Sequence, residues 1–313
     1  MSTQNFPKIV LGGNVFGWSV DENASFALLD AALAGGLNAI DTADVYSHWG
    51  PGNKGGESET IIGKWMKARG NRDKVLVHTK GGAPGAPGEL AGGNATGAYL
   101  SKAVENSLRR LQTDVIDLYY VHYDDKVTPP EDTLGAFQKL IQQGKIKAIA
   151  ASNYEPDRLK QYLDVAAAKG LPAFSGLQTL YNLYAREPFE STLQPLCKER
   201  HVGVLTYFSL AHGFLSGKYR SEADQAKSKA RGGAIAQYLN PRGFRILDAL
   251  QKVAEAKGAN SAQVALAWLI TRPTVAAAIA SATSSDQIAD LVAATKLKLS
   301  AEDLSALDNA SKP

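Results

Sequence analysis

The chain has 313 residues, 44% hydrophobic and 21% charged, which is enough apolar content to bury a sizeable core. Its net charge is +3 with both signs interspersed, so it offers neither a basic stripe for nucleic acid nor a polybasic anchor for an acidic membrane. Cys197 is the only cysteine and no apolar run approaches the ~20 residues of a membrane span, so a cytoplasmic protein without disulfide, membrane or nucleic-acid partner is expected.

Ile9-Val10-Leu11 reads as a short strand entering a Gly12-Gly13 loop that carries Phe16 and Trp18, and Asn23 to Ala34 has helical spacing that stops at Gly35-Gly36. A strand from Leu37 to Asp41 follows, then Tyr46 and a Gly/Pro-rich loop with Trp49, a helix from Glu57 to Lys67 and a strand from Val75 to Lys80. Beyond a second Gly/Pro-rich loop, Gly81 to Gly97, the pattern gives a helix from Ala98 to Leu111 and a strand from Val115 to His122. The alternation continues with helix Glu131 to Gln143, strand Ile146 to Ala151 closed by Ser152-Asn153, and helix Pro156 to Lys169. Strand Gly176 to Gln178, helix Pro188 to Arg200 and strand Val202 to Tyr207 complete it. A polar insert, Ser221 to Gly233, is read as a long surface loop of the kind that covers a site. Helices Gly243 to Lys257 and Ser261 to Thr271 precede an eighth apolar run, Val275 to Ala280. Gln287 to Thr295 and Ala301 to Ala310 close the chain as helices, the second led by Ser300 with Asp303 close to a capping-box spacing.

The apolar runs are continuous rather than alternating, the sequence form of parallel strands buried on both faces. Eight of them separated by helices, without internal repeat or linker, predict an α/β fold: a closed (β/α)8 TIM barrel forming one domain over residues 1–313, with long loops at its C-terminal face. The active site of such a barrel lies where the strands end. Those ends are Asp41, Lys80, His122, Ser152-Asn153, Gln178 and Tyr207, with Tyr46 in the loop just after Asp41.

A free phenol has a pKa of about 10 and is a poor acid at neutral pH. Asp41 and Lys80 are placed to pair, which keeps a buried ammonium charged; a charged Lys80 beside Tyr46 is expected to lower the phenol's pKa and make it a proton donor. His122 is available to hydrogen-bond a substrate carbonyl or the phenol, and the group suits protonation of a developing alkoxide while something else delivers a hydride. Trp18 and Trp49, in loops after strand ends, are candidate substrate contacts. Gly50 to Gly55 formally matches G-x-G-x-x-G but has no strand directly before it, and the histidines show no metal-ligand spacing, so no metal is expected.

Asp41-Thr-Ala-Asp-Val-Tyr46, Glu59-Thr-Ile-Ile-Gly63, Thr79-Lys80, Val121-His122, Gly144 to Tyr154, Gln178 to Arg186 and Tyr207 through Gly213 to Tyr219 together resemble the aldo-keto reductase superfamily, in order and over nearly the whole chain. The resemblance implies a barrel that binds NADPH, with NADH as the alternative, and acts on a small carbonyl or alcohol with Asp41, Tyr46, Lys80 and His122 as the catalytic group. It further implies Ser152, Asn153 and Gln178 on the nicotinamide carboxamide, Tyr207 on the nicotinamide ring, and Ser209 and Leu210 along the pyrophosphate. At the adenosine end the chain departs from the family pattern: Ser281, Thr283 and Gln287 can hydrogen-bond a phosphate, but no cation stands between Ser281 and Gln287. Leu291 also takes a position where a polar residue is expected. The competing readings are a non-catalytic nucleotide-binding regulatory subunit of the same fold and an unrelated phosphate-handling isomerase barrel.

Overall fold

Short strands with two apolar faces must be covered on both, and here they are: the strands pair only in parallel and close on themselves in a computed structural model that describes residues 7–85, 92–227 and 232–313. The strands are β1 (Ile9–Gly12), β2 (Ala39–Asp41), β3 (Leu76–Gly81), β4 (Leu118–Val121), β5 (Ile149–Ser152), β6 (Gly176–Leu180), β7 (Gly203–Tyr207) and β8 (Val275–Ala280). They follow one another around the barrel in chain order, and β8 pairs back onto β1. The expected (β/α)8 TIM barrel is the fold observed.

The helices around it are α1 (Glu22–Ala34), α2 (Glu57–Arg69), α3 (Gly97–Leu111), α4 (Pro130–Gln142), α5 (Pro156–Lys169), α6 (Gln194–Glu199), α7 (Pro241–Lys257), α8 (Ser261–Ile270), α9 (Ser285–Lys296) and α10 (Ala301–Ala310). Among the described residues no helix is long and apolar enough to cross a membrane. Two apolar layers hold the assembly. One fills the barrel, where Ala39, Ala148, Ala150 and Ala277 leave room for the large ring of Tyr120; the other lies between the barrel wall and the helices. The Ser300–Asp303 capping box forms at the start of α10, and a second, Asn260 with Gln263, starts α8. Leu291, apolar where a polar residue was expected, packs into the core beneath α9.

Several element bounds differ from the sequence reading for identifiable reasons. The fourth strand starts at Leu118 rather than Val115, because Asp117 gathers Arg72 and Lys147, both at 2.7 Å, and the Val77 amide at 2.9 Å around the base of β3 to β5. Ile116 makes a single isolated bridge to Ile146. The helix expected from Pro188 to Arg200 divides into a π-turn, Phe189–Leu193, and the short α6, since Pro195 has no N–H to give to the carbonyl four residues back. In the insert Ser221–Gly233 short 3₁₀ turns occupy 222–227 and 232–234, and residues 228–231 lie outside the described residues; so do 86–91 of the loop from Gly81 to Gly97.

The Glu59 to Gly63 segment earns its glycine through packing. A Cβ on Gly63 would overlap the Arg110 carbonyl oxygen and lie 2.6 Å from the Leu111 carbonyl carbon, so α2 and α3 touch backbone to backbone there. Gly63→Ala is expected to destabilise the protein by about 1–3 kcal/mol through overpacking. A urea midpoint equal to that of the wild type would contradict this.

Candidate active site

Side chains alternate between the two faces of a strand, so a strand's last inward position is fixed by its first. Counting by two from the interior residue Ala39 reaches Asp41; from Leu118 and Tyr120 it reaches His122; from Ala150, Ser152; from Leu205, Tyr207; from Ile279, Ser281. In β3 the inward series is Leu76, His78, Lys80, and in β6 Gly176 faces Ala150 and Leu205 with Gln178 two residues on. The polar strand ends therefore converge inside one rim.

Lys80 is the centre of the group. It is fully buried, and its ammonium donates to Asp41 Oδ2 at 2.7 Å, to the Thr42 carbonyl at 2.8 Å and to Tyr46 Oη at 2.9 Å, which uses all three of its donors. Asp41 Oδ1 accepts from Gln178 Nε2 at 2.8 Å. Because Tyr46 accepts from the ammonium, its own proton is left for another acceptor, and the 3.4 Å contact to Asp41 is too long to hold it firmly. The His122 ring lies edge-on to Tyr46 with centroids 6.1 Å apart, its backbone amide extends the β3–β4 ladder to the Gly81 carbonyl, and its buried Nδ1 has no hydrogen-bond partner.

Electrostatics at this cluster correct one sequence expectation. Burial first, and then the Asp41 carboxylate, hold the Tyr46 phenol well above its ordinary pKa, so the net shift is opposite to the lowering expected from Lys80. The phenol thus keeps its proton. Burial pulls Lys80 down from its ordinary range while Asp41 pulls it back, and burial, assisted by Lys80, keeps His122 neutral.

Of the residues read as cofactor contacts, Gln178 and Asn153 are bonded directly to this cluster. Asn153, with a left-handed φ of 57°, donates through Nδ2 to the His122 carbonyl at 3.0 Å and lies 3.2 Å from Ser152 Oγ, and its Oδ1 accepts from the Tyr207 hydroxyl at 2.8 Å. The Ser209 hydroxyl is buried and lies 2.8 Å from the Ile279 carbonyl and 3.0 Å from that of Thr206, which leaves its backbone to meet a ligand. Around Leu210 the chain takes left-handed φ values at Phe208, Ala211, His212 and Gly213, a run of turned peptide units of the type that can form an anion-binding concavity. Ser281 is hydrogen-bonded to Asn14, and the Thr283 amide donates at 2.9 Å to the side chain of Gln287 at the start of α9.

Trp18 and Trp49 meet edge to face, 5.6 Å between centroids, and Trp49 lies 5.9 Å from the Tyr46 ring. The structure shows three further ring contacts at strand ends and the loops after them that the sequence reading did not assign. Tyr123 stacks on His122 at 5.1 Å, His48 packs on Trp49 at 5.0 Å, and the exposed Phe208 lies on His212 at 3.9 Å. Tyr123 and Phe208 each come one residue after a strand-end residue already singled out, and that adjacency was the available signal.

A family model for the aldo/keto reductase family matches residues 8–312. Aldo-keto reductase YhdN of Bacillus subtilis (strain 168) is 34% identical over 301 residues, 94% of this chain and 85% of that protein. Protein tas of Escherichia coli (strain K12) is 30% identical over 319 residues, 95% of this chain and 92% of its own length. Versiconal hemiacetal acetate reductase of Aspergillus parasiticus is 29% identical over 311 residues, 93% of this chain and 88% of its own.

Beneath Lys80, burial depresses the His78 imidazole from 6.5 to about 4, against the pull of Asp41 and Asp117. Between those values the unfolded chain binds the proton and the folded chain does not, so stability present above pH 6.5 is lost as pH falls toward 4. The loss attributable to His78 approaches about 3 kcal/mol. Thermal unfolding from pH 7.5 to 4 should show a smaller decline for His78→Gln than for the wild type; parallel declines would contradict it.

Proposed function

This chain belongs to the aldo/keto reductase family, an oxidoreductase family acting on small molecules, and from that premise we propose that it reduces aldehydes or ketones to alcohols, reversibly, using a nicotinamide cofactor. The observation that carries this reading is the buried ammonium of Lys80, 2.7 Å from Asp41 and 2.9 Å from the Tyr46 hydroxyl, at the rim where the strands end.

When bound, a reduced nicotinamide supplies the hydride to the carbonyl carbon. Tyr46 gives its proton to the alkoxide oxygen, and the phenolate left behind sits against the Lys80 ammonium, whose charge Asp41 maintains. That ammonium is worth most to the phenol at this moment, when negative charge develops in a site of low dielectric. His122 is uncharged and orients the carbonyl by a hydrogen bond. The chain offers a donor and acceptor set that suits the cofactor: Ser152, Asn153 and Gln178 for the carboxamide, and Tyr207, anchored through Asn153, for the nicotinamide face. The Ser209 backbone and Leu210, in the left-handed loop, suit the pyrophosphate. Trp18 and Trp49 flank the carbonyl substrate.

Oxidation of NADPH with an aromatic aldehyde such as 4-nitrobenzaldehyde tests this reading. Tyr46→Phe is expected to lower kcat by about a hundredfold or more, the usual worth of a positioned proton donor, with little change in nucleotide affinity. If wild type and variant are equally inert across a broad carbonyl panel while both bind nucleotide, the regulatory-subunit reading replaces this one.

Coenzyme choice follows from the adenosine end. Ser281, Thr283 and Gln287 are neutral, Asp286 sits in the first turn of α9, and the hydrogen bonds of Ser281 to Asn14 and of Thr283 to Gln287 already occupy part of their capacity. A 2'-phosphate would meet hydrogen-bond donors without a cation. The NADPH-to-NADH ratio of kcat/KM is expected to stay below about a hundredfold, since a hundredfold is about 2.8 kcal/mol, near the upper worth of a single hydrogen bond to a charged group. A thousandfold preference in either direction, measured in paired titrations, would overturn this assignment.

A further inference from the structure

A second carboxylate lies behind Lys80. Asp44 stands between Asp41 and Tyr46 on the loop leaving β2, is 1% exposed, and ties that loop to the top of β3 through its amide, which donates to the Lys80 carbonyl at 3.0 Å. Neither of its oxygens makes a well-formed hydrogen bond, the adjacent Val45 amide giving partial help. The groups facing it are Glu59 on α2, Tyr99 and Arg110 on α3, Lys80 on β3 and Tyr119 on β4. Arg110 is committed to Glu59 at 2.6 Å, and Glu59 also accepts from Thr79 at 2.6 Å, so Asp44 is the carboxylate of the group without a paired cation. A Cβ on Gly81 would overlap the Tyr119 hydroxyl and lie 3.2 Å from Asp44 Oδ2, which places both groups against the strand just beyond Lys80.

We propose that Asp44 is a positioning residue of the proton-donating group: its carboxylate acts through space to hold Lys80 as an ammonium, and through Lys80 it supports the Tyr46 phenolate left after proton transfer. The role in turnover rests on the function proposed above. Burial and then Glu59 push the Asp44 carboxyl up to about 7, while Arg110 and Lys80 favour its ionised form. Lys80 in turn is drawn down by burial and drawn back by Asp41 and Asp44. Once ionised, Asp44 adds a negative charge that opposes loss of the Lys80 proton.

Carbon NMR at the Lys80 Cε, assigned with Lys80→Met, follows the ammonium without turnover. In Asp44→Asn the Lys80 midpoint should fall by about one pH unit or more, with Asp44→Glu restoring most of it. The alkaline limb of kcat for carbonyl reduction should move down with it, whereas a merely structural role would lower kcat at every pH and leave the limb in place. An unmoved Lys80 midpoint overturns the proposal. So does an Asp44 carboxyl carbon with the same midpoint in Lys80→Met as in the wild type, because the coupling of two charges is reciprocal and loss of the ammonium should raise that midpoint. If the wild type turns over no carbonyl, the proposed function fails, and the two NMR titrations still decide whether Asp44 governs Lys80.

Discussion

The ion pair of Lys80 and Asp41 is the constraint on which the upper half of the barrel depends. Both side chains are almost completely removed from water, 0% and 2% exposed, and each would be costly to bury alone. The cost is offset by saturation. The ammonium has an acceptor for each of its protons, and the second Asp41 oxygen takes a hydrogen bond from Gln178, so β2, β3 and β6 are fastened at one point. Tyr46 enters this arrangement as an acceptor, which leaves its proton directed away from the cation. A phenol positioned in this way is a hydrogen-bond donor in the resting protein and gains electrostatic support only when it loses its proton.

The alternation of β3 divides labour between the two sides of the wall. Lys80 faces inward to Asp41 and Tyr46; Thr79 faces outward, where it donates at 2.6 Å to Glu59, itself paired with Arg110 across the α2–α3 contact. The close approach that Gly63 permits brings Arg110 to Glu59, and the same packing encloses Asp44. Helix packing outside the barrel and charge inside it are thus coupled through adjacent residues of one strand. The rim above is aromatic, with Trp18, Trp49, Tyr123 and His48 grouped about Tyr46 and His122, and Trp49 and Tyr123 keep flat faces exposed to solvent.

Much of this was legible in the linear chain. Continuous apolar runs separated by amphipathic helices state a parallel sheet with both faces covered, and eight of them state a closed barrel; the polar residue at each run's end states the rim. Asp41, Lys80 and His122 were readable because each stands where an apolar run stops, and Tyr46 because it follows Asp41 in the loop that leaves the strand. Tyr123 and Phe208 were not, since a residue one step past a strand end has no periodicity to declare its direction. The π-turn at Phe189–Leu193 was hidden because a proline marks a missing donor without specifying how the helix accommodates it.

The sequence by itself determined the order of elements, the barrel and the identity of the groups at its rim, because these follow from local hydrophobic pattern and from where it ends. Only the tertiary structure decided which way the rim side chains point and what charge each carries. Inward and outward positions look alike in a strand that is apolar on both faces, and the same phenol is acidified by an exposed cation but kept protonated when burial and a shared carboxylate outweigh it. The Ser209 hydroxyl, turned into the wall, and Asp44, enclosed without a paired cation, are products of the same rule: burial is a property of the assembled fold, and it sets the chemistry of a polar group more strongly than the residue's own name.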